Sequence, residues 1–198
     1  GFFFFLFLWG FNYARPSIES QLSLEVLPLS KEELHKELVL ETEAVIALRQ
    51  RVPGAGDEAI GEAWLPPGLE RQLREDLKAW LQGENFPTPG RVRARLLYPR
   101  GIFLRFSSAG LYWPFTGEGH ADAGLHPLQL PAVIAHEMGH GYGFADEGTC
   151  SFLAYVSTFY SEDPFISYAG RLDHWRTLAG QYRRMDPEGF EGLYASLP

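Results

Sequence analysis

The chain has 198 residues, 45% of them hydrophobic and 21% charged, which fits one globular domain or one domain with a short appendage. Its 17 basic and 25 acidic side chains leave a formal charge of −8, which excludes nucleic acid as a main partner, because phosphate binding relies on clustered Lys and Arg. The single cysteine, Cys150, excludes an internal disulfide and a Cys-based zinc cluster, so any metal must be held by His and carboxylates.

Positions 1 to 11 carry no charge, and eight aromatics (Phe2, Phe3, Phe4, Phe5, Phe7, Trp9, Phe11 and Tyr13) crowd into the first thirteen. Since a spanning helix needs roughly 20 apolar residues, this run is too short to cross a bilayer alone. It also lacks the basic n-region and cleavage site of a signal peptide. It reads as the end of a transmembrane helix over residues 1–15, with Trp9, Tyr13 and Arg15 as interfacial belt and snorkelling anchor. The expectation is a chain held to the lipid bilayer by its N-terminal segment, followed by a soluble domain over 16–198.

Ser30 and Glu33 spell a capping box ahead of Leu34, Leu38, Val45 and Leu48, which predicts a helix over about 30–51. Pro66-Pro67-Gly68 opens a second helix, whose Leu69, Leu73, Leu77 and Leu81 recur every four residues and which Gly83 ends. Glu70, Arg71, Arg74, Glu75 and Lys78 form its solvated face. Polar loops are expected over Gly54–Gly61 and Asn85–Gly90. After Gly90 the period changes to two: Val92, Ala94 and Leu96, then Ile102, Leu104 and Phe106, predict strands over 91–98 and 101–107. The Gly- and aromatic-rich stretch 111–125 reads as a loop or irregular edge strand.

The informative helix follows, from Leu128 to His140. His136-Glu137-Met138-Gly139-His140 matches His-Glu-x-x-His, in which imidazoles at i and i+4 share a helical face and can bind one metal ion. Glu137 lies beside that face, where it can reach a metal-bound water without being a ligand. No Asp, Glu, Lys or Arg occurs from Ala123 to Ala135, so two imidazoles and a carboxylate intrude on an apolar helix, and a divalent cation offsets the cost of burying all three. A catalytic zinc site needs a third protein ligand and an open position. Two candidates follow the glycines: Asp146, at the spacing of an extended metzincin motif, and Glu147, in the first turn of a helix expected over 147–160. The other of the pair would be an N-cap or a partner to an imidazole N–H.

Five ordered segments, Trp9 to Pro16, Pro114 to Glu118, His136 to His140, Asp146 to Tyr155 and Tyr168 to Gly170, resemble a bacterial membrane-protein family of unknown function with two transmembrane helices and a zincin-like domain. The resemblance spans essentially the whole chain. It implies an α+β fold, mainly helical with a small β-sheet, preceded by the end of a transmembrane helix, and a place in the bacterial inner membrane. It implies Glu147 as third ligand beside His136 and His140, because members commonly carry Glu there. Thr149 and Ser151 depart from the commoner Glu-x-Glu-Ala-Asn-Phe pattern, so a second family carboxylate has no metal role here.

The expected function is a membrane-anchored zinc metallopeptidase acting on peptides or membrane proteins. Glu137 is its general base, and Tyr168 the foremost of three candidate oxyanion donors with Tyr155 and His174. The alternative is a catalytically silent zinc-stabilised scaffold or subunit of a membrane complex, for which Glu137 would have no use. Glu118, His120 and Asp122 lie where zincin-like folds place the edge strand that receives substrate, although a plain polar loop explains them too. Asp173 is read as orienting a histidine or pairing with Arg171 or Arg176, His126 as a cap for the active-site helix, and His35 as a surface residue.

Overall fold

The computed structural model describes residues 2–54 and 58–197, so part of the loop expected over Gly54–Gly61 lies outside it. The architecture is α+β, with one small sheet among helices. A short helix α1 (Phe2–Leu8) and a 3-10 turn at Gly10–Ala14 precede α2 (Ile18–Gln21). Helix α3 (Lys31–Arg49) starts at the expected capping box: Ser30 Oγ accepts from the Glu33 N–H at 3.2 Å, and the Ser30 N–H donates back to the Glu33 carboxylate at 2.9 Å. Helix α4 (Leu69–Gly83) buries Leu73, Leu77 and Leu81 completely, worth about 1.5–3 kcal/mol for each such side chain. Its outer face is less uniformly solvated than the charge pattern suggests, because Arg74 is tucked in and donates to Glu70 one turn back.

Strand β1 (Arg93–Leu97) is the first of the two expected strands. The second does not form. Asp122, fully buried, takes hydrogen bonds from the backbone N–H groups of Gly101, Phe103 and Leu104 at 2.6, 2.7 and 3.3 Å, and from Gly124 at 2.7 Å. Those donors are lost to any ladder, and with Gly101 at φ +79° the chain curls into a 3-10 turn at Leu104–Phe106. The alternation there was misleading: Phe106 is exposed.

The stretch expected to be irregular instead makes a hairpin, β2 (Gly110–Trp113) and β3 (Glu118–Asp122). Strand β3 is central, parallel to β1 and antiparallel to β2. Glu118, His120 and Asp122 therefore do not lie on an edge: Glu118 pairs with Arg93 and Arg95 of β1, and Asp122 organises the 101–104 turn. The open edge beside the histidine helix is β2.

Helix α5 (Leu130–Gly141) lies under the sheet and against α6 (Glu147–Phe159), with Pro131 in its first turn; His126 does not cap it, because its Nδ1 accepts from the Leu128 N–H at 3.3 Å within the preceding turn and the N-cap residue is Gln129. Two unforeseen helices, α7 (Pro164–Met185) and α8 (Pro187–Ala195), begin at Asp163 and Asp186, whose carboxylates cap them. The main core joins α4, α5, α6 and the sheet; a second gathers Leu34 and Leu38 of α3 against Leu178, Ala179 and Tyr182 of α7.

Candidate metal centre

His136 and His140 stand one turn apart on the face of α5 turned to α6, their ring centroids 5.0 Å apart. Beyond them the chain reverses through Gly143 at φ +86°, a conformation natural to glycine, and enters α6 at Asp146. Asp146 Oδ1 accepts the Thr149 N–H at 2.7 Å, and that bond holds its carboxyl below the usual range. Asp146 is thus the N-cap, and Glu147, in the first turn of α6, points back to the imidazoles. Its Oε2 lies 3.0 Å from His136 Nε2 and its Oε1 3.6 Å from His140 Nε2. One donor atom from each of the three residues lies within 4.8 Å of the other two.

The imidazoles are oriented from behind. His140 Nδ1 lies 2.8 Å from the Phe144 carbonyl oxygen and 3.3 Å from Cys150 Sγ; with the proton on Nδ1 it donates to Phe144 and presents a bare Nε2 to Glu147. Ser151 Oγ lies 3.4 Å from His136 Nδ1. Burial, and then the neighbouring His140, lower the pKa of His136, which keeps it the neutral ligand that metal binding requires.

Glu137 is buried at 5% exposure, and its Oε2 has no protein partner. Two glycines admit it beneath the sheet: a Cβ at Gly110 would sit 2.5 Å from Glu137 Oε1, and one at Gly119 would sit 2.6 Å from Glu137 Cβ. Burial, and then the charge of Glu147, push its carboxyl up to about 8. A buried oxygen left unpaired costs about 1–3 kcal/mol, which a cation and its water among these donors would offset. The residues present fit a divalent ion bound by two nitrogens and a carboxylate, with Glu137 beside it.

A family model described as a protein of unknown function (DUF3810) matches residues 1–198. The chain belongs to this family. No curated protein and no solved structure matches it.

Within this DUF3810 chain the other expected residues fall in different places. Tyr168 is buried in a core cluster with Val52, Ile60, Leu128 and Phe165 and lines neither cavity beside the histidines. Tyr155 packs on His174 with the rings tilted and their centroids 4.6 Å apart, and burial pushes its hydroxyl up to about 12. Arg171 pairs with Glu41 at 3.0 Å rather than with Asp173, which lines the cavity on the His136 side, and His35 is exposed beside Tyr182.

Several residues lie at the site that the sequence pattern assigns to other roles. Trp9 is buried at 8% exposure, with its ring 4.8 Å from Tyr112 and edge-on to His140 at 6.0 Å. Arg15 donates to the Tyr142 carbonyl at 3.2 Å and lies 4.1 Å over Phe144. Both were expected at a membrane interface; both pack on the domain instead, while Tyr13 is exposed. Cys150 could have been suspected only from its place one turn after the helix start. Among the described residues no helix is long and apolar enough to cross a membrane.

Proposed function

We propose that this chain is a membrane-anchored zinc-dependent hydrolase, a peptidase, in which His136, His140 and Glu147 hold the metal. The observation that carries the reading is the convergence of these three donors beside a buried, unpartnered Glu137 carboxylate. Zinc bound there would supply Lewis acidity and lower the pKa of water at the site toward neutrality.

The residues account for the rest. Glu137, enclosed below β2, accepts a proton from the attacking water and returns it to the leaving amine. Its raised basicity suits that exchange near neutral pH. The Phe144 carbonyl and Ser151 fix the two rings. Strand β2 offers an open edge above Glu137 along which an extended peptide can pair. Anchoring rests on α1 and the turn after it, where Phe3, Phe4, Phe7 and Phe11 are all exposed within a stretch, positions 1 to 11, whose side chains carry no charge.

The test is metal analysis of protein purified without chelator, together with cleavage of a membrane-protein panel by wild type, Glu137→Ala and Glu147→Ala. Metal-free wild type would refute the reading.

A further inference from the structure

Two hollows flank the candidate ligands and share Ser108, Gly110, Glu137 and Glu147, yet their walls differ in chemistry. The one on the His136 side, about 400 Å³, is edged by Ser107, Gln129, Ser151 and Asp173 among aliphatic groups. The one on the His140 side, about 410 Å³, is walled by Phe5, Trp9 and Tyr13 of the amino-terminal segment, by Tyr112 of β2 and by Pro114. That wall is fixed at its base, since Trp9 is clamped on Tyr112 and Arg15 on Tyr142 and Phe144.

Strand β2 aims a bound chain into it. The Asp122 N–H donates to the Ala109 carbonyl at 2.9 Å, so in the antiparallel ladder Ala109, Leu111 and Trp113 turn their backbone groups to β3. Gly110 and Tyr112 turn theirs to the open edge, where the Gly110 carbonyl accepts from Ser108 Oγ at 2.6 Å and keeps one lone pair for a partner strand. An extended peptide paired with those two residues crosses from one hollow to the other, and its side chains alternate in direction. An anionic side chain in the His140-side hollow would give up water for aromatic faces and the Glu137 and Glu147 carboxylates at a heavy cost; a large apolar one gains by leaving water for the aromatic wall.

We infer that the amino-terminal segment is itself a wall of the active cleft, and that Phe5, Trp9 and Tyr13 with Tyr112 form a subsite for a bulky apolar side chain of the substrate, aromatic or long aliphatic, adjoining the cleaved bond. The assignment rests on the peptidase reading above. It makes the apolar segment a determinant of specificity as well as a tether.

The test uses zinc-loaded full chain and three peptidyl hydroxamates that differ only in the side chain next to the hydroxamate: glycyl, leucyl or phenylalanyl. Calorimetry is expected to give the leucyl and phenylalanyl compounds an affinity on the order of ten- to a hundredfold above the glycyl one. Phe5→Ala and Tyr13→Ala should each cut that ratio several-fold while zinc content stays at the wild-type level, which also reports an intact fold. Equal affinities on zinc-loaded wild type overturn the subsite and leave the metal reading standing. A ratio that survives both substitutions overturns the placing of the wall. A wild type that takes up no zinc overturns the subsite together with the reading beneath it.

Discussion

Glu147 reaches His136 across a helix–turn–helix, its Oε2 3.0 Å from the imidazole Nε2, although the rest of its side chain is largely exposed. Nothing in α6 holds the carboxylate there; the two histidines do. Glu147→Ala is therefore expected to lower zinc affinity by more than the 10–100-fold typical of an outer-shell residue. Asp146→Ala should keep the metal and lose about 1 kcal/mol of stability with the helix cap. Zinc competition and urea titration of both variants check the pair; zinc retained by Glu147→Ala would move the third ligand elsewhere.

Glu137 touches none of the donors as a ligand, so Glu137→Ala should bind zinc like wild type while cleavage falls by roughly 10²–10⁴-fold, the range for a lost general base. Comparable loss of zinc and of cleavage would make it a ligand or a structural strut.

The fit of Glu137 under the sheet is testable through its glycines. Gly110→Ala brings a methyl against the carboxylate and the His120 carbonyl and should cost about 1–3 kcal/mol. In a Glu137→Ala background that cost should fall by at least about 0.5 kcal/mol. Gly119→Ala should show no such relief, because it meets the Glu137 Cβ, which alanine retains. Denaturant unfolding of the double-mutant cycles decides; additivity at Gly110 would contradict the packing.

Asp122 gives a pH dependence. Burial by itself would raise its carboxyl, but the backbone N–H groups of Gly124, Gly101, Phe103 and Leu104 outweigh burial and hold it below the usual range. A depressed carboxylate contributes stability above its unfolded-state pKa, and that contribution disappears as pH falls through the lower folded value. Wild type should therefore lose melting temperature on acidification below the ordinary carboxylate range. Asp122→Ala should melt on the order of 10 °C lower at neutral pH and show a shallower acid slope. Parallel slopes would mean that the turn is held by other groups.

The exposed phenylalanines predict attachment to neutral bilayers. Phe7→Asp with Phe11→Asp should abolish co-flotation with phosphatidylcholine vesicles and leave zinc binding intact. Flotation unchanged by both charges would place the membrane contact on another surface.

Much of this was legible in the residues because local rules carried it. The Ser30 capping box, the leucine stripe of α4 and the His-Glu-x-x-His spacing each specify a geometry within a few positions, and each appears as expected. The sequence was opaque where one distant group overrode a local pattern. The alternation over 101–107 gives way to a turn because Asp122, about twenty residues on, claims its N–H groups. Trp9 leaves the surface its neighbours suggest because its partners, Tyr112 and His140, lie within reach only after folding. Tyr168 drew attention through a motif, and the motif marks a core contact.

Cys150 and the Phe144 carbonyl stand behind His140, while His136 and Glu147 are only eleven positions apart in sequence. Bringing such near neighbours together loses little chain entropy, so the α5–α6 hairpin can gather its donors while the rest of the chain is still expanded. Glu137, by contrast, is enclosed only when Gly110 and Gly119 dock from the sheet. Donor assembly and enclosure of the base are thus separable events in folding, and a chain arrested between them would hold its cation-binding side chains together with the general base still open to water.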